Sequence, residues 1–499
     1  MMVFDWIGKW AEYSPDKVAI RDVKTGEDYS YSALNKLSET IAANLHENFK
    51  LVKGDRIAIL SAFNAEFIAL FSAAQKAGFI IVPINTHLTA HEVAYQIENS
   101  GSKLVIYQDN FSDKLSESDV SKIKWDETTL PTQGTYTEKI SENDPIFILY
   151  TSGTTGRPKG CIYTHKMLFW NSINTQLRLD ITSNDITLNC MPSFHTGGWN
   201  VLITPFLHHG ATVWLLSDFD PDVVLENLEK SKSTLFMAVP TMLKIMSDSK
   251  AFAEANLSTI RYFIVGGEAL PIPEIETWEN KGILIRQGFG LTEVGPNVTS
   301  LHQSDTIRKR GSIGFFNFYI SGKVINDVGG ECKPDEVGEL MLGGPNVSPG
   351  YWNNPIATTD SYKDGFFKTG DLVKRDAEGY IYVVGRKKEM YISGGENVYP
   401  REVEKVLQEH PAIAEAAVIG VPHEKWGETG AAFLIKKQGS DITEDEILTY
   451  CREYLAKFKL PKHIVFLDVF PKNATGKIDK KELKSKFNQT TKTSNYENK

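Results

Sequence analysis

Upstream of about Gly311, apolar runs of four to six residues recur between polar or turn-forming stretches: Ile57–Leu60, Phe79–Ile84, Leu104–Tyr107, Ile146–Tyr150, Ala211–Leu216, Leu235–Val239 and Tyr262–Val265. Runs of that length match buried strands, and the longer stretches between them carry helix-start signals. Thr89 followed by Glu92 reads as a capping box, and Asp220-Pro221 as an N-cap with proline in the first helical position. Strand and helix in alternation predict an α/β fold built on largely parallel sheets flanked by helices. Beyond Gly311 the texture turns to short strands among Gly, Pro and Asn, through Gly343-Gly-Pro345 and Tyr351-Trp-Asn-Asn-Pro355, as in a small β-barrel subdomain. After Gly385 come a helix opened by Pro400, strands near Ala416–Ile419 and Ala432–Ile435, a helix capped by Thr443 with Glu446, and a strand at Ile464–Leu467. That set suffices for a separate small α+β domain of roughly 110 residues. The expected division is 1–387 and 388–499, with a polar, disordered tail from Gln489.

Composition narrows the class. Of the 499 residues, 41% are hydrophobic and 23% charged, an ordinary globular balance. A net charge of −9 argues against a nucleic-acid surface. Cys161, Cys190, Cys332 and Cys451 lie far apart with no Cys-x-x-Cys pair, which suggests neither zinc nor a disulfide framework and fits reduced thiols. Charged residues interrupt both the N-terminus and the most apolar region, Ile57–Ile84, so the expectation is a cytoplasmic chain with neither signal peptide nor membrane span.

One loop carries most of the chemistry. In Tyr150-Thr-Ser-Gly-Thr-Thr-Gly-Arg-Pro-Lys-Gly160 the glycines Gly153, Gly156 and Gly160 permit close backbone approach to an anion. Thr151, Ser152, Thr154 and Thr155 add hydroxyls, and Arg157 and Lys159 add charge. It follows the apolar run Ile146–Tyr150, at the carboxyl end of a strand, where α/β sheets bind ligands. It is not a Walker A loop: Pro158 stands where the second Gly belongs, and no Gly-Lys-Ser/Thr follows. An ordinary flexible Gly/Ser/Thr loop has the same composition, so other runs must decide.

Five further runs follow in order: Met191-Pro-Ser-Phe-His-Thr-Gly197, Gly288-Phe-Gly-Leu-Thr-Glu293, Thr369-Gly-Asp371, Gly385-Arg-Lys-Lys388 leading into Ser393-Gly-Gly-Glu-Asn397, and Asn473-Ala-Thr-Gly-Lys477. Together with the loop at 150–160 they make the chain resemble, over essentially its whole length, the AMP-forming adenylating superfamily. That superfamily includes acyl-CoA synthetases, luciferase-like enzymes and the adenylation domains of peptide synthetases.

The resemblance implies a role for each piece. Gly288, Phe289 and Gly290 offer a tight approach and a flat ring for adenine, with Phe where relatives often have Tyr. Gly267, Glu268 and Ala269 resemble the adenine-contacting segment, though a plain strand-to-helix turn has the same look. Thr292 and Glu293 correspond to phosphate and Mg²⁺ contacts, with Thr151 a second candidate metal contact. Asp371 would accept the ribose hydroxyls beside Arg386. Lys477 is the expected adenylation catalyst, its ammonium offsetting charge that builds on phosphate and carboxylate oxygens. His195 is either a satisfied core histidine or the ring bordering the carboxylate and the acyl pocket.

The implied reaction has two halves. A carboxylate attacks ATP, giving acyl-adenylate and pyrophosphate; a thiol then displaces AMP. The C-terminal domain pivots between them at Lys388, and Ser393, Gly394 and Gly395 line the thiol's channel. Trp426 either stacks on coenzyme A or belongs to the core. Trp199, Met237, Val239, Thr241, Val265 and Leu291 would line an apolar acyl pocket without an evident cation, which favours a fatty or aromatic acid over a dicarboxylate. The runs imply ATP, Mg²⁺ and coenzyme A. A carrier-protein thiol is the alternative acceptor, and a homodimer is left open.

Overall fold

A computed structural model of the chain describes residues 3–130, 134–151, 157–267, 270–473 and 476–496, with side chains described up to residue 488. Its contacts group into two compact units, Met1–Lys323 with Met341–Thr369, and Val324–Leu340 with Gly370–Lys499. Asp371, Arg386 and Lys388 therefore share a unit with Lys477.

The first unit holds two large sheets. In the six-stranded one, Ser121–Lys124, Leu104–Tyr107, Arg56–Leu60, Ile80–Pro83 and Pro145–Thr151 run parallel, and Lys159–Thr164 closes the edge antiparallel. The nine-stranded sheet has a parallel middle: Ile285–Leu291, Tyr262–Val265, Leu235–Ala238, Ile186–Asn189, Thr212–Leu215 and Val18–Asp22. Antiparallel pairs flank it, Gly295–Ser300 and Phe315–Phe316 on one side and Asp28–Ser30 on the other. The α/β expectation holds, and its helix starts form as the sequence signals. Thr89 and Glu92 make a reciprocal capping box, and the Asp220 carboxylate accepts from the Val223 amide ahead of Pro221.

Four parallel strands, Val18–Asp22, Ser121–Lys124, Ile186–Asn189 and Ile285–Leu291, lie outside the apolar runs. Ile-Thr-Leu-Asn is half polar, yet Thr187, Leu188 and Asn189 are buried between neighbouring strands. The core of this unit centres on Trp199, fully buried among Phe63, Phe67, Phe71 and Phe147, with its indole N–H donating to the Ser193 carbonyl at 2.7 Å. Trp199 thus fills the interior rather than lining a ligand pocket. Its neighbours are bulky aromatics and its one polar atom is spent on a local carbonyl.

In the second unit Ile413–His423 and Gly427–Lys436 form a long antiparallel pair, extended by Tyr391–Ser393 with Glu396–Val398 and, in parallel, by His463–Phe466. The helix Pro400–Glu409 lies on this sheet with Val403 and Leu407 buried. The Thr443/Glu446 capping box opens the helix Glu444–Tyr454. Thr443→Ala should cost about 1 kcal/mol of stability, read as faster amide exchange in that helix. The segment from Gln489, expected to be disordered, continues the helix Lys480–Tyr496. Among the described residues no helix is long and apolar enough to cross a membrane.

Candidate active site

In the first unit the phosphate loop joins two antiparallel strands, with Thr151 directly opposite Lys159 and Tyr150 opposite Gly160. Ser152, Gly153, Thr154, Thr155 and Gly156, and likewise Glu268 and Ala269, lie outside the described residues. The loop's flanks are held by this strand pairing. Thr151 Oγ1 donates toward the Lys159 carbonyl at 3.5 Å, and the Lys159 ammonium sits 5.0 Å from the centre of the Tyr351 ring.

The strand Ile285–Leu291 changes partners midway. Ile285, Arg286 and Gln287 pair in parallel with Phe263–Val265, whereas Gly288, Phe289 and Leu291 pair back with Gly295–Ser300 through the short turn Thr292–Val294. A side chain at Gly290 would collide with the Pro296 backbone, its Cβ only 2.2 Å away, which explains the glycine by the hairpin itself. The switch brings Glu293 to the phosphate strand. Its carbonyl accepts from the Ser348 amide at 2.8 Å, while the neighbouring Gly350 and Trp352 backbones bond Ile162 and Gly160. The Tyr351 hydroxyl donates to Glu293 Oε1 at 2.7 Å.

At the carboxyl ends of the parallel strands the structure gathers several further candidates. A Cβ at Gly266 would stand 3.5 Å from the Gly288 carbonyl, one at Gly267 (φ +88°) 3.8 Å from Val239, and one at Gly197 3.7 Å from the tip of Met237. His195 starts the short helix Thr196–Asn200, half-buried with its ring 4.6 Å from that of Phe194, so it is not a sequestered core histidine. Leu291 and Phe289 are half-buried, Val265 is wholly buried in its strand, and Thr241 is exposed at the start of a helix.

A cavity of about 10 Å³, room for one water, is lined by Thr175, Arg286, Asn297, Thr299 and Ser300 among others. The Arg286 guanidinium is a cation the sequence did not flag, but carbonyls of Leu301 and Arg178 and the Gln303 side chain take its donors. Burial lowers its pKa to about 10, leaving it charged and structurally occupied.

In the second unit Asp371 and Arg386 are register partners across the strands Phe366–Arg375 and Ile381–Arg386, with Nε to Oδ1 at 2.9 Å. Burial raises the Asp371 pKa to about 6, against the opposing pull of Arg386, Arg401 and Lys477. Lys388 is exposed in the turn just after Arg386. Lys477 is exposed on a turn closed by bonds between Asn473 and Lys477, with Gly476 at φ +79° and Asp479 capping the helix that follows. The helix that follows the turn is anchored through its first residue. Lys480 bridges Glu389 and Glu404 at 2.8 Å each, an ion triad visible only once the strands bring residues 389, 404 and 480 together.

Ser393 is buried opposite Gly427, and Gly394 (φ +63°) donates its amide to the Trp426 carbonyl. The half-buried Trp426 ring leaves no room for a Cβ at Gly394, which would stand 2.8 Å from it, whereas nothing crowds Gly395. Gly394→Ala should displace the indole and strain the backbone by about 1–2 kcal/mol. If this edge admits the thiol, thioester formation from supplied acyl-adenylate slows several-fold while pyrophosphate release persists; stopped-flow assays of each half check it.

Comparison with known proteins shows the family. The AMP-binding enzyme model matches residues 7–352, and the AMP-binding enzyme C-terminal domain model matches 402–477. The chain belongs to the AMP-binding enzyme family. It is 34% identical to a feruloyl-CoA synthase of Amycolatopsis sp over 96% of this chain and 99% of that one. It is 35% identical to the long-chain-fatty-acid–CoA ligase FadD13 of Mycobacterium tuberculosis over 96% and 97%. Among solved structures it resembles Bacillus subtilis o-succinylbenzoate-CoA synthetase (MenE) bound to its acyl-adenylate intermediate, with a TM-score of 0.89, 34% identity and 96% and 98% coverage. The same enzyme in complex with ATP and magnesium gives a TM-score of 0.89 and 33% identity over 96% and 99%.

Mg²⁺ suits this family member's donor set. Glu293 would supply a carboxylate and Thr292 and Thr151 hydroxyls, oxygen groups of the kind that share Mg²⁺ with nucleotide phosphates and water. No cluster of three or more His, Cys, Asp or Glu side chains forms a protein-only metal cage among the described residues.

Proposed function

We propose that this chain is an AMP-forming acid–thiol ligase that activates a hydrophobic carboxylic acid, fatty or aromatic, with ATP and transfers the acyl group to coenzyme A. The observation that carries the reading is the convergence on Ser348–Trp352 of the phosphate strand with Lys159 and the turn bearing Glu293. That arrangement assembles a cation, a carboxylate and hydroxyls for a magnesium–polyphosphate. The names of the relatives point to feruloyl, long-chain fatty and o-succinylbenzoyl groups, aromatic or aliphatic acids of the same class.

In the first half-reaction the acid's carboxylate oxygen attacks the α-phosphorus and pyrophosphate leaves. Bound Mg²⁺, held by Glu293 with Thr292 and Thr151, would neutralise charge on the phosphates. The chain contributes Thr151, Lys159, Thr292 and Glu293 around the polyphosphate, Asp371 with Arg386 at the ribose, and Lys477 at the oxygens where charge builds. The described ends of the phosphate loop frame Ser152–Gly156, assigned to the same phosphates, and Gly267–Ala269 with Gly288–Gly290 are assigned to adenine. In the second half a thiol sulfur attacks the acyl carbon and AMP departs, with Lys388 as pivot and Ser393–Gly395 as the thiol's path. His195, Met237, Val239 and Leu291 border the acid. The 388–499 segment acts as the mobile lid, in the cytoplasm, with free coenzyme A as acceptor.

Purified protein with ATP and Mg²⁺, offered fatty acids of graded length and aromatic acids, is expected to release pyrophosphate and AMP, and to form thioester with coenzyme A alone. Absence of AMP with every acid would falsify the reading. Turnover only on a carrier-protein thiol would leave the adenylation half standing and move the acceptor.

A further inference from the structure

The segment Tyr351-Trp-Asn-Asn-Pro355 supplies a side chain, Tyr351, that touches two candidate nucleotide groups of opposite charge, Glu293 and Lys159. We propose that Tyr351 is a positioning residue for adenylation, its hydroxyl orienting the Glu293 carboxylate while its ring seats the Lys159 ammonium. The inference rests on the assignment of Glu293 and Lys159 to the magnesium–nucleotide.

Geometry carries it. Tyr351 is 9% exposed, bonded to Glu293 Oε1 at 2.7 Å, with Lys159 Nζ 5.0 Å from the ring centroid. Its backbone is held independently of both contacts. It bridges Cys161 in the phosphate strand, its amide donates to Thr358 Oγ1 at 2.9 Å, and its carbonyl accepts from Asn354. Neighbouring Gly350 and Trp352 bond Ile162 and Gly160 on the same strand. The ring is therefore fixed before any nucleotide arrives, and preorganised donors and charges are what a phosphoryl-transfer site requires. A hydrogen bond fixes one carboxylate oxygen. A ring face under the ammonium limits how far Lys159 swings while leaving its N–H donors to other acceptors.

The test uses the full chain with Tyr351→Phe, Tyr351→Leu and Glu293→Gln. Acid-dependent pyrophosphate release is measured against Mg²⁺ and ATP concentration, ATP affinity is measured by calorimetry with and without Mg²⁺, and thioester formation is measured from supplied acyl-adenylate. Tyr351→Phe should lower kcat for adenylation about tenfold and raise the Mg²⁺ needed for half-maximal rate, as for loss of a hydrogen bond to a charged group. Calorimetry should show it weakening ATP binding only when Mg²⁺ is present. Thioester formation and thermal midpoint should stay as in the parent. Tyr351→Leu, lacking the ring as well, should weaken ATP binding with and without Mg²⁺. If Tyr351→Phe matches the parent in rate and Mg²⁺ dependence while Glu293→Gln is impaired, the proposal falls and the Glu293 assignment stands. If Glu293→Gln is itself unimpaired, the assignment beneath both falls. Equal loss in both half-reactions for Tyr351→Phe would make its role general folding and overturn the proposal.

Discussion

Lys477→Ala is expected to reduce acid-dependent pyrophosphate release about 10²–10³-fold, the usual cost of removing one preorganised electrostatic contact from a site where charge develops. Thioester formation from supplied acyl-adenylate should stay within a few-fold of the parent. The asymmetry follows from the chemistry of each half. Attack on the α-phosphorus brings a carboxylate against an anionic phosphate and sends off pyrophosphate, so an ammonium at that point lowers the barrier. Thiol attack on the mixed anhydride releases AMP and needs no cation from Lys477. The structure holds this lysine on a short bonded turn between Asn473 and the helix capped by Asp479. Lys477→Arg should recover little activity, because a planar fork does not replace a compact point charge. Single-turnover assays of each half with the same preparation check the prediction, and equal loss in both halves would remove the assignment.

The parts of this molecule that its sequence reveals are those set by local chemistry. Thr89–Glu92 and Thr443–Glu446 form the boxes their spacing implies because a capping box needs only four residues. Apolar runs such as Leu104–Tyr107 and Tyr262–Val265 become strands with the same bounds. What the sequence hides depends on partners distant along the chain. Ile186–Asn189 carries two polar residues, and its place inside the nine-stranded sheet comes from strands beginning at 212 and 235. Trp199 follows the His195 run closely enough to suggest a pocket wall, but Phe63, Phe67 and Phe71 arrive from far upstream to enclose it. The candidate site divides in the same way. The glycines and charged residues of each run mark themselves, whereas the Tyr351–Glu293 bond and the Lys480 triad span contacts of 58 and up to 91 residues that no local pattern encodes.

Asp371 should make nucleoside affinity depend on pH, with the change centred near 6 and its sign opposite to the effect on stability. Burial is the main cause of the raised pKa of about 6, and the charges of Arg386, Arg401 and Lys477 only partly offset it. For an acid raised in the fold, the ionised form carries a cost above pH 6, and protonation relieves it. Stability therefore gains slightly as pH falls from about 6 toward the unfolded carboxyl's ordinary value of 3.8. Binding runs the other way. Ribose hydroxyls donate to the carboxylate, and a protonated Asp371 loses acceptor strength and charge. Affinity for adenosine, chosen because it has no phosphate to titrate, should be flat above neutrality. Below pH 6 it should weaken by up to about tenfold for each further pH step of one, the limiting slope when a single proton competes with the ligand. Asp371→Asn should bind weakly with no such slope, and Asp371→Ala should lose about 10–100-fold at neutral pH, the worth of hydrogen bonds to a charged acceptor. Calorimetry from about pH 5 to 8 on the three proteins separates these outcomes. A parent profile flat through 6, or an Asn variant that shares the parent's slope, would place the ribose elsewhere and leave Asp371 as the buried partner of Arg386.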